Sequence, residues 1–128
     1  MNLTGYEDMA FDVTVSDKLL AKAYELIWNL RMYASENSPL QSCRLEINLK
    51  ITGVQLRALI SYLRIKGTPQ FPHGVPIASG STGYWLASDR ASLASTVAHM
   101  RERGLKDLAV AYALEKIYPP PEQESLEL

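Results

Sequence analysis

The side chains able to do chemistry in this 128-residue chain are thinly spread. Cys43 is the only cysteine, and the two histidines, His73 and His99, fall in a proline-rich stretch and in a helical stretch. No His/Cys/Asp set has the spacing of zinc ligands, and a single cysteine forms neither an internal disulfide nor a cysteine-based zinc cluster. Gly80-Ser81-Thr82-Gly83 is bounded by glycines but lacks the lysine that a phosphate-cradling loop requires. Cys43 carries no nucleophile signature and reads as a buried structural thiol. Catalysis, a metal and a cofactor are therefore not expected. What remains is recognition chemistry. Gln55 can pair bidentately with adenine and Arg57 with guanine. Lys50, Arg64, Lys66 and Arg90 can anchor phosphates, and Ser79, Ser81 and Thr82 are small donors suited to a phosphate or a minor groove. Each also has a plain reading: arginines that bridge carboxylates or cover the core with their stems, and hydroxyls that only serve a turn.

Charge favours the recognition reading locally. The total is −1, but residues 44–104 hold eight Lys/Arg against three Asp/Glu, while the segments on either side each carry a net −3. A basic middle between acidic flanks is a local electrostatic footprint, and a partner meets the local field before the total.

These residues need elements to hold them. Over 53–66, Leu56, Leu59, Ile60 and Leu63 recur at helical spacing and define an inward face. That places Val54, Ala58, Ser61, Tyr62 and Ile65 outward, with Gln55, Arg57 and Arg64 on the flanks. Thr52 caps this helix and leaves first-turn amides for a phosphate; Gly67 ends it. Before it, Leu45 and Leu49 mark a brief helix over 42–50, joined by a tight connection at Ile51-Thr52-Gly53. After it, 67–76 is a proline- and glycine-rich loop, and 77–87 forms a β-hairpin around Gly80–Gly83. Tyr84 and Trp85 alternate across a hairpin strand, so one of them faces the core.

Outside this middle, the alternation of 9–15 predicts a short strand. Ser16 caps a helix over 17–36, with one apolar line at Leu20, Ala23, Tyr24, Ile27 and Leu30 and a second at Leu19, Leu26 and Tyr33. Asn37-Ser38-Pro39 stops it. Ser88 or Asp89 caps a helical region over 90–118 with Leu93, Val97 and Met100 on one face; Leu105, Leu108, Tyr112 and Tyr118 continue an apolar side beyond Gly104, where the helix is expected to kink or divide. The stripes on 17–36 and 91–118 are expected to pack on each other and to supply a homodimer interface. The acidic, proline-rich tail 119–128 is expected to be disordered. No signal peptide or membrane-length apolar run is present, which points to a cytoplasmic chain without a membrane partner. The fold class expected is mainly α with a small β-hairpin (α+β), as a single domain over 1–118 with its core about 17–87.

Short helix, tight connection, second helix and hairpin is the order of a winged helix-turn-helix. From about Leu45 to Ala87 the chain resembles winged-helix domains widespread in bacteriophage genomes. The stretch carrying this is Ile51-Thr-Gly-Val-Gln-Leu-Arg-Ala-Leu-Ile-Ser-Tyr-Leu-Arg-Ile-Lys-Gly-Thr-Pro, then Pro76-Ile-Ala-Ser and Gly83-Tyr-Trp-Leu-Ala. The resemblance implies that 53–66 is a recognition helix and the hairpin a wing, with additional N- and C-terminal helices around them. It also implies that double-stranded DNA is the partner, in a phage or prophage regulator of transcription or replication. Gln70 to Val75 departs from the family pattern as an insertion before the first wing strand. Winged helices also serve as protein-binding modules, so a host protein is the alternative partner.

Overall fold

The computed structural model describes residues 14–118. The strand expected over 9–15 lies outside them, save Thr14 and Val15, which are in no strand; the tail 119–128 lies outside them too. The class is α+β and mostly helical: α1 (Asp17–Leu20), α2 (Ala23–Tyr33), α3 (Ser42–Leu49), α4 (Gly53–Lys66), β1 (Ile77–Gly80), β2 (Gly83–Leu86) and α5 (Arg90–Ile117). Two compact units divide the chain, one ending at Leu93 and the other starting at Ala94.

In the first unit, Ser16 caps α1 as expected, its hydroxyl accepting from the Leu19 amide at 3.1 Å. The single helix expected over 17–36 is instead two. Lys22 N–H bonds the Leu19 carbonyl at 2.9 Å, a tight turn that re-aims the chain before α2 begins. The second helix then stops at Tyr33, with Ala34 already extended. Leu19, Ala23, Leu26, Ile27 and Leu30 are buried, but Tyr24 and Tyr33 are 62% and 58% exposed, so the apolar stripe is narrower than its residue types suggest.

Against that stripe pack Leu45 and Leu49 of α3 and Leu56, Leu59, Ile60 and Leu63 of α4, all buried in one core. Asn29, itself buried, donates to the Glu25 carbonyl at 2.7 Å and accepts from Asn48 at 3.0 Å, which ties α2 to α3. The loop after α4 belongs to the same core. Val75 is 2% exposed, its amide donates to the Leu63 carbonyl at 2.9 Å, and Phe71 packs against the cluster. The segment 70–75 is thus held against the end of α4.

The hairpin pairs Ile77 with Leu86 and Gly80 with Gly83 in antiparallel register. Leu40 adds one further bridge, exchanging two backbone hydrogen bonds with Tyr84 at 2.9 Å each. Gly83 permits this contact: its φ is +150°, and a Cβ there would collide with the Leu40 carbonyl.

Helix α5 starts at Arg90, with the Asp89 carboxylate accepting from the Ser92 amide at 2.8 Å. It runs without a break through Gly104, so the division expected there does not occur. From Val97 to Ile117 its residues are exposed, Leu105, Leu108 and Tyr112 among them. Among the described residues no helix is long and apolar enough to cross a membrane, and no group of His, Cys, Asp and Glu is placed to hold a metal.

Candidate nucleic-acid interface

Helix α4 has the bounds its sequence predicts and presents the predicted side outward. Leu56, Leu59 and Leu63 are fully buried and Ile60 nearly so, while Val54 is 69% exposed and Ile65 53% exposed. Ser61 is exposed; Ala58 and Tyr62 are half-buried against the core rather than free. Thr52 caps the helix, accepting from the Gln55 amide at 3.1 Å, and the Gln55 side-chain oxygen in turn accepts from the Thr52 amide at 2.9 Å. Gln55 therefore keeps its amide NH₂ for an outside partner, while its carbonyl works within the cap. Thr52 followed three residues later by Gln is the pattern that marks such a box.

Arg57 is exposed one turn into the helix. A Cβ built on Gly53 would lie 3.4 Å from one Arg57 nitrogen and 3.4 Å from a Glu46 oxygen, so both tips converge over the start of α4. Glu46 also accepts from the Ser42 hydroxyl at 3.0 Å. An acid thus lies near this exposed cation.

Lys50 joins α3 to α4 in the left-handed conformation, φ 58° and ψ 48°. A lysine there carries a backbone cost that glycine or asparagine would largely avoid. Its side chain is exposed, as are Lys66 at the far end of α4 and Arg90 at the start of α5.

Arg64 is placed differently from the other cations. Its Nε donates to the Ile77 carbonyl at 2.8 Å and one Nη to the Ser79 hydroxyl at 3.4 Å. Burial pulls its pKa below the ordinary arginine value, and Tyr84 acts in the opposite direction. This arginine ties β1 to the last turn of α4. Ser79 is half-buried on the same tie, whereas Ser81 and Thr82 are exposed at the hairpin tip. Tyr84 faces the main core from β2. Trp85 is buried on the other side of the hairpin, donating from Nε1 to the Ser92 hydroxyl at 3.1 Å. Both aromatics serve packing.

One surface feature escaped the sequence reading. A cleft of about 540 Å³ is lined by Glu25, Trp28, Asn29, Tyr33, Arg44 and Asn48, with Leu40 at its wall. Trp28 and Tyr33 meet edge to face at 5.5 Å. Tyr24, Trp28 and Met32 lie four residues apart on the exposed side of α2, a spacing visible in the sequence once the helix phase is known. Cys43 is exposed, not the buried thiol expected. Against models of known protein families, curated proteins and solved structures, the chain matches none.

Proposed function

We propose that α3, α4 and the hairpin form a winged helix-turn-helix that binds double-stranded DNA, in a phage or prophage regulator of transcription or replication. The observation that carries this reading is the Arg64 tie. It holds β1 of the hairpin against the last turn of α4, the relation that a helix in a major groove with a wing on the adjacent backbone requires. The Leu40 bridge to Tyr84 supports it, since it gives the hairpin a third strand position from the segment between α2 and α3. In this reading Arg57, Gln55 and Ser61 meet base edges. Lys50, Lys66, Ser81, Thr82 and the first-turn amides beside Thr52 meet phosphates, and Arg64 and Ser79 position the wing.

Fluorescence anisotropy on generic duplex DNA, repeated at several salt concentrations, tests this. Binding in the range of ~10⁻⁴–10⁻⁶ M that weakens steeply with salt is the expected result. Arg57→Ala should cost ~1–3 kcal/mol on a preferred site. Lys66→Ala should weaken all sequences alike and lower the salt slope by about one. Absence of duplex binding even at low salt would sink the proposal. The second reading, a module that binds a host protein, draws on the exposed Trp28, Tyr33 and Arg44, the residue types that dominate protein interfaces. It expects Trp28→Ala to abolish a partner complex while leaving duplex binding untouched.

A further inference from the structure

The second half of α5 carries a sequence that is complementary to itself when reversed. Counting from Leu108, Leu105 lies three residues before and Ala111 three after; Gly104 lies four before and Tyr112 four after; Arg101 lies seven before and Glu115 seven after. At three- and four-residue spacing these positions share one side of the helix, and all of them are exposed. A second copy laid antiparallel across Leu108 therefore sets Leu108 against its own counterpart and, on either side of it, large against small and cation against anion. Leu105 faces Ala111, Tyr112 faces Gly104, and Arg101 faces Glu115, each pair occurring twice about one two-fold axis.

We infer that α5 forms an antiparallel two-fold dimer through this side, centred on Leu108, with a second copy of the chain as the occupant. Gly104 is the most informative residue. Glycine is among the poorest helix formers, and a Cβ added there would meet nothing within 4 Å in its own chain. Its missing side chain serves no purpose in one copy, whereas in the pair it receives the partner's Tyr112 ring. The Glu102–Lys106 ion pair, 3.5 Å apart, lies on the opposite side of the helix and stays in solvent. Val110, Leu114 and Ile117 also lie off the shared side. Leu105, Leu108 and Tyr112 are 68%, 64% and 61% exposed. Together with the stems of Arg101 and Glu115, that side offers roughly 400–500 Å² per chain. A pair buries about 800–1,000 Å² in all, below the standard size of stable interfaces and in the range of weak ones, which suits a dimer assembling at tens of micromolar or above. The inference is independent of DNA binding.

Sedimentation velocity of the full chain under reductant, from about 1 to 200 μM, tests it; the reductant removes disulfide dimers through exposed Cys43. A monomer–dimer equilibrium is expected. Leu108→Lys and Gly104→Ala should each weaken it at least tenfold, the latter although alanine favours the helix. Arg101→Glu and Glu115→Arg should each weaken it, and the double variant should restore it, because reversed charges still face each other only in the antiparallel arrangement. Far-UV circular dichroism confirms that each variant remains helical. A chain monomeric throughout, a dimer indifferent to Leu108→Lys, or single charge variants that the double variant does not rescue would each overturn the inference.

Discussion

Helices α4 and α5 use the same apolar residue types and put them to opposite ends. On α4 the leucines and Ile60 fall on one side and are buried, Leu56, Leu59 and Leu63 with no exposed surface, while the rest of the circumference is mixed, with Val54 and Ile65 exposed among polar residues. On the second half of α5, Leu105, Leu108, Val110, Tyr112, Leu114 and Ile117 are spread around the circumference and are 58–68% exposed. A stripe of apolar residues identifies a core face only where the remaining circumference is polar. Where apolar residues go all the way round, their positions alone name no direction of cover; on α5 the small residues and opposite charges flanking Leu108 are what single out a side.

The sharpest way to break this comparison is truncation of one leucine on each helix. Leu59→Ala should destabilise the first unit by ~2–5 kcal/mol through lost burial and a residual cavity, read by urea unfolding. Leu108→Ala, at concentrations where the chain is monomeric, should change stability by no more than ~0.5 kcal/mol. Equal losses would mean that α5 is covered within its own chain. The next effect is backbone. Gly83→Ala forces a side chain against the Leu40 carbonyl and should cost ~3 kcal/mol, with early loss of the hairpin amides in hydrogen exchange. Arg64→Met keeps the aliphatic stem but leaves the Ile77 carbonyl without its donor. It should cost ~1–3 kcal/mol and loosen the hairpin from α4. The smallest effect has the opposite sign: Lys50→Gly relieves a left-handed lysine and should stabilise the chain by ~0.5–1 kcal/mol. If Lys50 also anchors a phosphate, the same variant should bind duplex DNA with a salt slope shallower by about one.

How much of this was legible follows from the range of each interaction. Helix 53–66 was readable to the residue because its cap, inward face and glycine stop are all local in sequence. The break between α1 and α2 was not, since Ala21 and Lys22 are good helix formers and only packing re-aims the chain there. The left-handed Lys50 gave no signal, because glycine or asparagine is the residue that announces that conformation. Among the candidate contacts, Arg57, Lys50, Lys66, Ser61, Ser81 and Thr82 are exposed as read. Gln55 is shared with its cap, and Arg64 belongs to the hairpin, thirteen positions away in sequence. That tie, like the bridge from Leu40 to Tyr84, joins residues whose separation in sequence hides their closeness in space.

The Arg64 tie also has a kinetic consequence. With the hairpin fixed to α4 before any encounter, the ordering of these two elements occurs during folding and not during association. A partner touching both meets a finished surface, so binding proceeds in a single phase without a closing step, at rates of about 10⁵–10⁷ M⁻¹s⁻¹ unless charge steers it faster. Loosening the tie would convert that encounter into a two-step process, with a second rate that no longer depends on concentration.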